Sequence, residues 1–142
     1  MSNEVKKLIT SRRRFLQVSA GLGVMASTLG LPGIVRAQTK RIGFAMETFT
    51  VPRWKNLDKP SFEDAVRAGG FEPVVVQANF DVAQQLRDVE NLLAQGIDAL
   101  VIVAIDSNAA VNMVRRAKRD GVPVVAYNTA IPSSDVAAFV SR

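Results

Sequence analysis

Four side chains stand out for what their types can do at their spacing. Arg53 and Trp54 are adjacent in the stretch TVPRWKN (50–56), and Asn128 and Thr129 are adjacent directly after the apolar run PVVAY (123–127). A guanidinium is a fixed fork of donors, and an indole is a flat apolar face with one N–H. Asn supplies a donor and an acceptor, and a Thr hydroxyl serves as either. A sugar ring asks for this mix, because its C–H face packs on an aromatic plane while its hydroxyls need paired donors and acceptors. A micromolar site needs about 8 kcal/mol net, which one or two stacked rings and several hydrogen bonds supply. Spacing alone leaves alternatives open. Trp54 equally heads an apolar helix face and so reads as core, and Asn128 and Thr129 equally read as turn residues.

Other chemistries lack their parts. The chain has no His and no Cys, which removes disulfides, thiolate metal sites, Ser-His-Asp arrangements and the usual general base. The carboxylates near the ends of apolar runs, Glu47, Asp106 and Asp135, are not clustered as metal ligands would be. The loop after the first apolar run contains no Gly, so neither a dinucleotide fingerprint nor a phosphate-cradling loop is expected there. A phosphoacceptor receiver would need an acidic cluster at Glu47, which stands alone, and a late Lys, whereas none follows Lys118. The expectation is recognition without catalysis, cofactor or metal.

The elements that must position these residues alternate. Apolar runs rich in β-branched residues lie at 41–46, 73–78, 99–104, 123–127 and 137–141. They are near-continuous rather than alternating, as strands buried on both faces of a parallel sheet are. Between them lie helical patterns. Asp81 with Gln84 reads as a capping-box variant, after which Val82, Leu86, Val89, Leu92 and Leu93 share one face until Gly96. A second helix over Ala109–Asp120, capped by Asp106 or Ser107, turns Ala110, Val111, Val114 and Ala117 inward and leaves the basic run at 115–119 as a solvated face. Pro60 interrupts the first helical pattern, so that helix starts near Asp58 or bends there, and in the former case 53–57 is a loop or separate turn. The order β-α-β-α-β-α-β-β predicts an α/β, doubly wound parallel sheet with ligand-bearing loops at strand carboxyl ends.

The net charge of +5 is carried entirely by residues 1–37, because residues 38–142 hold equal numbers of basic and acidic side chains. With that segment set aside, nothing electrostatic points to nucleic acid. The segment itself reads as an address. Arg12, Arg13, Phe15 and Leu16 lie in SRRRFLQ, ahead of an apolar stretch diluted with Gly, Ser and Thr, and Val35 and Ala37 occupy the two small positions of a cleavage site. It resembles a twin-arginine signal, which implies the twin-arginine translocase as export partner and a periplasmic location from about Gln38 onward. An uncleaved anchor, a basic surface helix and an ordinary secretory signal are the competing readings.

RIGFAMETFTVPRW (41–54) and NFDVAQQLRDVENLLAQGIDALVIVAIDSNAAVNMVRRAKRDGVPVVAYNTAI (79–131) together resemble the periplasmic sugar-binding proteins of ABC transporters, of the ribose, xylose and galactose type. The resemblance covers 40–142, and its most specific parts, 85–102 and 117–127, report fold rather than ligand. It implies a type I periplasmic binding protein-like N-terminal lobe at 38–142, and a second lobe that this sequence stops short of. It also implies a monosaccharide ligand, with a pentose such as xylose favoured, and a membrane permease as partner. A sugar-presenting sensor for a chemoreceptor or histidine kinase is the alternative. Relatives place aromatics or an Arg-Trp pair after strand one, matching Arg53 and Trp54. They place Asp-Arg after strand four, where this chain has Asn128 and Thr129, and the missing Arg removes a bidentate donor.

Overall fold

The computed structural model describes residues 39–141. The leader reading, with Arg12, Arg13, Phe15, Leu16 and Ala37, lies outside the described residues. Five strands form one sheet: β1 (Arg41–Met46), β2 (Glu72–Gln77), β3 (Ala99–Ile102), β4 (Val124–Tyr127) and β5 (Val136–Val140). Their order is β2-β1-β3-β4-β5, and every neighbouring pair is parallel. Three α-helices connect them: α1 (Lys59–Ala68), α2 (Val82–Ala94) and α3 (Ser107–Arg119). The order reverses at β1, whose two neighbours are β2 and β3, so the crevice between the loops leaving β1 and β3 is the switch point of the sheet.

The expected alternation holds, with corrections that have physical causes. Burial on both faces is true of the central strands but not of the edges. β5 is largely exposed, and Phe139 is 49% exposed, because nothing among the described residues pairs with its outer side. In α2 the inward position is Gln85 rather than Leu86, which is exposed; the amide is kept inside by backbone partners, as described below. Met113 is buried in α3 and Val111 only partly, a rotation of the expected face by part of a turn. Asp81 and Asp106 are both N-caps: Asp81 accepts from the Gln84 amide at 3.0 Å and Asp106 from the Ala109 amide at 2.7 Å.

Of the two alternatives at Pro60 the first holds: α1 has Asp58 at its N-cap and Pro60 in its first turn, and 54–58 form a separate turn. Helical backbone begins at Pro52, passes through one π-helical turn at Trp54–Asp58, and continues as α1 with Pro60 in its first turn. The Lys59 amide bonds back five residues to the Trp54 carbonyl. This wider turn eases the clash that a proline ring makes with the carbonyl four residues earlier, and it accommodates the missing N–H.

Two cores fill the lobe. The larger packs α2 and α3 on one face of the sheet around Ala45, Leu92, Leu100, Ile102, Met113, Val114, Val124 and Ala126. The smaller lies on the other face, where Phe44, Met46, Trp54 and Val103 are buried and Phe62, Val75, Val101 and Tyr127 pack against them. The β4–β5 connection spans only 128–135 and contains no helix, which is short for parallel neighbours. It is pinned by the buried Ile131 and by the Ser107 hydroxyl, which donates to the Ala130 carbonyl at 2.8 Å.

Candidate functional site

The loops after β1 and β4 meet at the carboxyl ends of the strands. After β1 the chain needs only Glu47–Val51 to reach the helical turn that begins at Pro52, so Arg53 and Trp54 sit close above the sheet edge. The Arg53 guanidinium carbon stands 4.3 Å from the Trp54 ring centroid, a cation–π distance. Its Nη2 donates to the Tyr127 hydroxyl at 3.2 Å. Its Nε lies 3.0 Å from Asp58 Oδ2, as an ion pair rather than an aligned hydrogen bond. The Tyr127 hydroxyl in turn donates to Asp58 Oδ2 at 3.3 Å. The π turn is thereby tied to the last residue of β4, directly before Asn128.

Trp54 is 4% exposed. Its Nε1–H donates to Glu47 Oε1 at 2.8 Å, and its ring meets Tyr127 edge-on at 6.3 Å. The indole is therefore packed and hydrogen-bonded, and in this lobe it offers solvent no free face. Burial gives weight to the core side of the alternatives that spacing left open. What the indole does for the surface is hold Arg53 above it and Glu47 beside it.

Asn128 is exposed and adopts φ 63°, in the left-handed region that Asn tolerates better than most residues. Its amide donates to the Val140 carbonyl at 2.8 Å, which locks the end of β4 to the end of β5 and leaves the side chain outside. The Thr129 amide bonds to the Tyr127 carbonyl at 2.7 Å, and its side chain is half-buried. The turn reading of this pair is thus correct for the backbone, and it leaves the Asn128 amide group available. Arg53 and Trp54 meet the Tyr127 side chain, and Asn128 and Thr129 follow Tyr127 in the chain.

Two features escaped the sequence reading. Asp58 and Tyr127 are partners of Arg53 that only the fold brings together, from 69 residues apart. A groove of about 780 Å³ lies beside the β1 loop, lined by Phe49, Thr50, Pro52, Lys55, Asn56, Gln77 and Asn79. No group of three or more acidic side chains that could hold a metal occurs among the described residues. No helix among them is long and apolar enough to cross a membrane.

Comparisons with known proteins agree with this fold. The family model described as periplasmic binding protein domain matches residues 42–142. A D-xylose-binding periplasmic protein of Escherichia coli K12 is 30% identical over 105 residues, covering 74% of this chain and 32% of the relative. A solved ABC transporter solute-binding protein from Clostridium phytofermentans, with bound β-D-glucose, superposes with a TM-score of 0.68 at 31% identity, over 72% of this chain and 32% of that one. The fructose-binding periplasmic domain of a hybrid two-component system gives a TM-score of 0.63 at 26% identity, over 71% and 33%. The chain thus spans about a third of the length of the relatives it matches.

Proposed function

The chain belongs to the periplasmic binding protein family, and from that premise we propose that it forms one wall of a sugar site at the carboxyl ends of β1 and β4. In this reading it is part of the substrate-binding component of an ABC-type importer. The component takes up a monosaccharide, a pentose such as xylose by preference, and hands it to a permease in the cytoplasmic membrane. The twin-arginine translocase exports it by way of the leader at 1–37, so that it works in the periplasm. Arg53 and Asn128 supply the hydrogen bonds, Thr129 flanks them, and Trp54 supports Arg53 from below.

The observation that carries this reading is the Arg53 guanidinium, fixed from three sides by the Trp54 ring, Asp58 and the Tyr127 hydroxyl, beside the exposed Asn128. A donor fork held at a fixed orientation loses less freedom on meeting a hydroxyl pair. Titration with a panel of pentoses and hexoses, followed by Trp54 fluorescence and thermal shift, tests it. A response to one sugar class that Arg53→Lys weakens is expected, and silence toward every sugar overturns the reading.

Likeness to a periplasmic domain of a two-component system favours a second reading, in which the sugar-loaded protein is read by a membrane sensor. Reconstitution decides between them. Stimulated ATP hydrolysis by a permease complex supports import, and altered autophosphorylation of a sensor kinase supports signalling.

A further inference from the structure

Thr48 and Gln85 are the two fully buried polar side chains among the described residues. Neither sits in the middle of a core. Each lies under one of the two loops that part at the switch point of the sheet.

Gln85 projects from α2 at 1% exposure. Its Nε2 donates to the Val103 carbonyl at 2.8 Å, and its Oε1 accepts from the Ile105 amide at 3.1 Å. One side-chain amide thus spans the peptides on either side of Ala104, as a neighbouring strand would. On the other side, the Val103 amide donates to the Ala45 carbonyl at 3.0 Å. Past the end of β3 at Ile102 the backbone bends at Ile105 and Asp106, which places Asp106 as the cap of α3. Through Ser107 and the Ala130 carbonyl, the same loop is tied to the connection that carries Asn128 and Thr129.

Thr48 does the matching work after β1. It is fully buried, its Oγ1 accepts from the Thr50 amide at 3.0 Å, and it shares a hydrogen bond with the Thr50 hydroxyl at 3.0 Å. Between them, the Phe49 amide donates to Gln77 Oε1 at 2.6 Å, which fastens the loop to the end of β2. The residues next along the chain are Pro52, Arg53 and Trp54.

A buried amide or hydroxyl is costly unless satisfied, and here each is satisfied by loop backbone groups that an apolar residue of the same size would leave unpaired. Those bonds stabilise the loops locally. What the polar atoms add is a fixed backbone path for two loops that have no ladder of their own. We propose that Gln85 and Thr48 are positioning residues of the ligand site, setting the paths of the β3 and β1 loops across the switch-point crevice. The assignment rests on the sugar reading given above for what the site binds.

The test uses the whole chain with three variants, Gln85→Met, Gln85→Glu and Thr48→Val, each checked for native circular dichroism. Glu keeps the size and the acceptor but cannot donate to Val103 when ionised, so it covers the case in which Met fails to fold. Amide hydrogen exchange is the first readout. Exchange at Ile105 in Gln85→Met, and at Thr50 in Thr48→Val, is expected to rise at least tenfold, with Val89, Leu92 and Leu100 unchanged. A uniform rise across all these amides means global loosening and overturns the proposal.

The second readout is the sugar titration at a temperature where every variant is folded. A tenfold or greater loss of affinity in Gln85→Met, or in Gln85→Glu where Met does not fold, supports positioning, and unchanged affinity in the folded variant overturns it. Should the unaltered chain itself answer no sugar, the sugar reading falls and takes the positioning role with it. That failure is distinct from one seen in the variants alone.

Discussion

The two faces of the sheet are built from different materials. The face under α2 and α3 is aliphatic, with Leu92, Leu100, Ile102, Val114 and Val124 almost completely removed from water. The face under the π turn and α1 is aromatic, with Phe44 against Phe62 at 4.6 Å and against Tyr127 at 6.1 Å, and Trp54 edge-on to Tyr127. Aliphatic side chains interdigitate and have no atoms to spare for other tasks. Trp and Tyr bury as much area while keeping a polar tip, and here those tips hold Glu47, Arg53 and Asp58. One face supplies stability, and the other trades some of it for groups aimed at the strand ends.

This division can be broken at four places. Leu100→Ala, in the aliphatic core, is expected to cost about 3 to 5 kcal/mol in urea unfolding and to leave any sugar response intact where the protein remains folded. A loss below about 1 kcal/mol would mean that the aliphatic face is not the main source of stability. Trp54→Phe removes the Nε1 donor from Glu47 and shrinks the ring. A cost of about 2 kcal/mol is expected, together with loss of the sugar-induced thermal shift, because Arg53 loses its platform. Retained response with lowered stability would make Trp54 purely a core residue.

Asn128→Ala is expected to cost about 1 kcal/mol, because alanine resists the left-handed backbone there, whereas Asn128→Gly is expected to leave stability unchanged or slightly raised. Both remove the side-chain amide, so both should weaken sugar binding alike; if only the alanine variant does so, backbone shape rather than the amide is what matters. Lys118→Ala breaks the surface pair with Asp135, on neither face, and should shift the thermal midpoint by no more than about 0.5 kcal/mol would.

Much of the aliphatic face was legible in the sequence. Runs such as ALVIVA and PVVAY admit few readings, and the caps Asp81 and Asp106 stand where side-chain acceptors are needed. The aromatic face was less legible. Trp54 fits a helix stripe and a binding platform equally well on spacing, and only its depth in the fold weighs between them. Gln85 lay hidden because a polar residue in an amphipathic helix is assigned outward by default; its partners, Val103 and Ile105, lie 18 and 20 residues away. The bond between Tyr127 and Asp58 was out of reach for the same reason, since the pair meets only after the sheet has formed.

The π turn before Pro60 makes the site sensitive to residue count as well as residue type. The Lys59 amide reaches back five residues where an α-helical turn reaches back four. Removing one residue between Trp54 and Pro60, Asn56 for instance, would convert this step into an α-helical one and set the proline ring against the carbonyl four residues before it, at a cost of about 3 kcal/mol. The turn below Arg53 and Trp54 would then be strained although each of these side chains was still present. The spacing from Arg53 to Pro60 is as much a part of the site as the arginine.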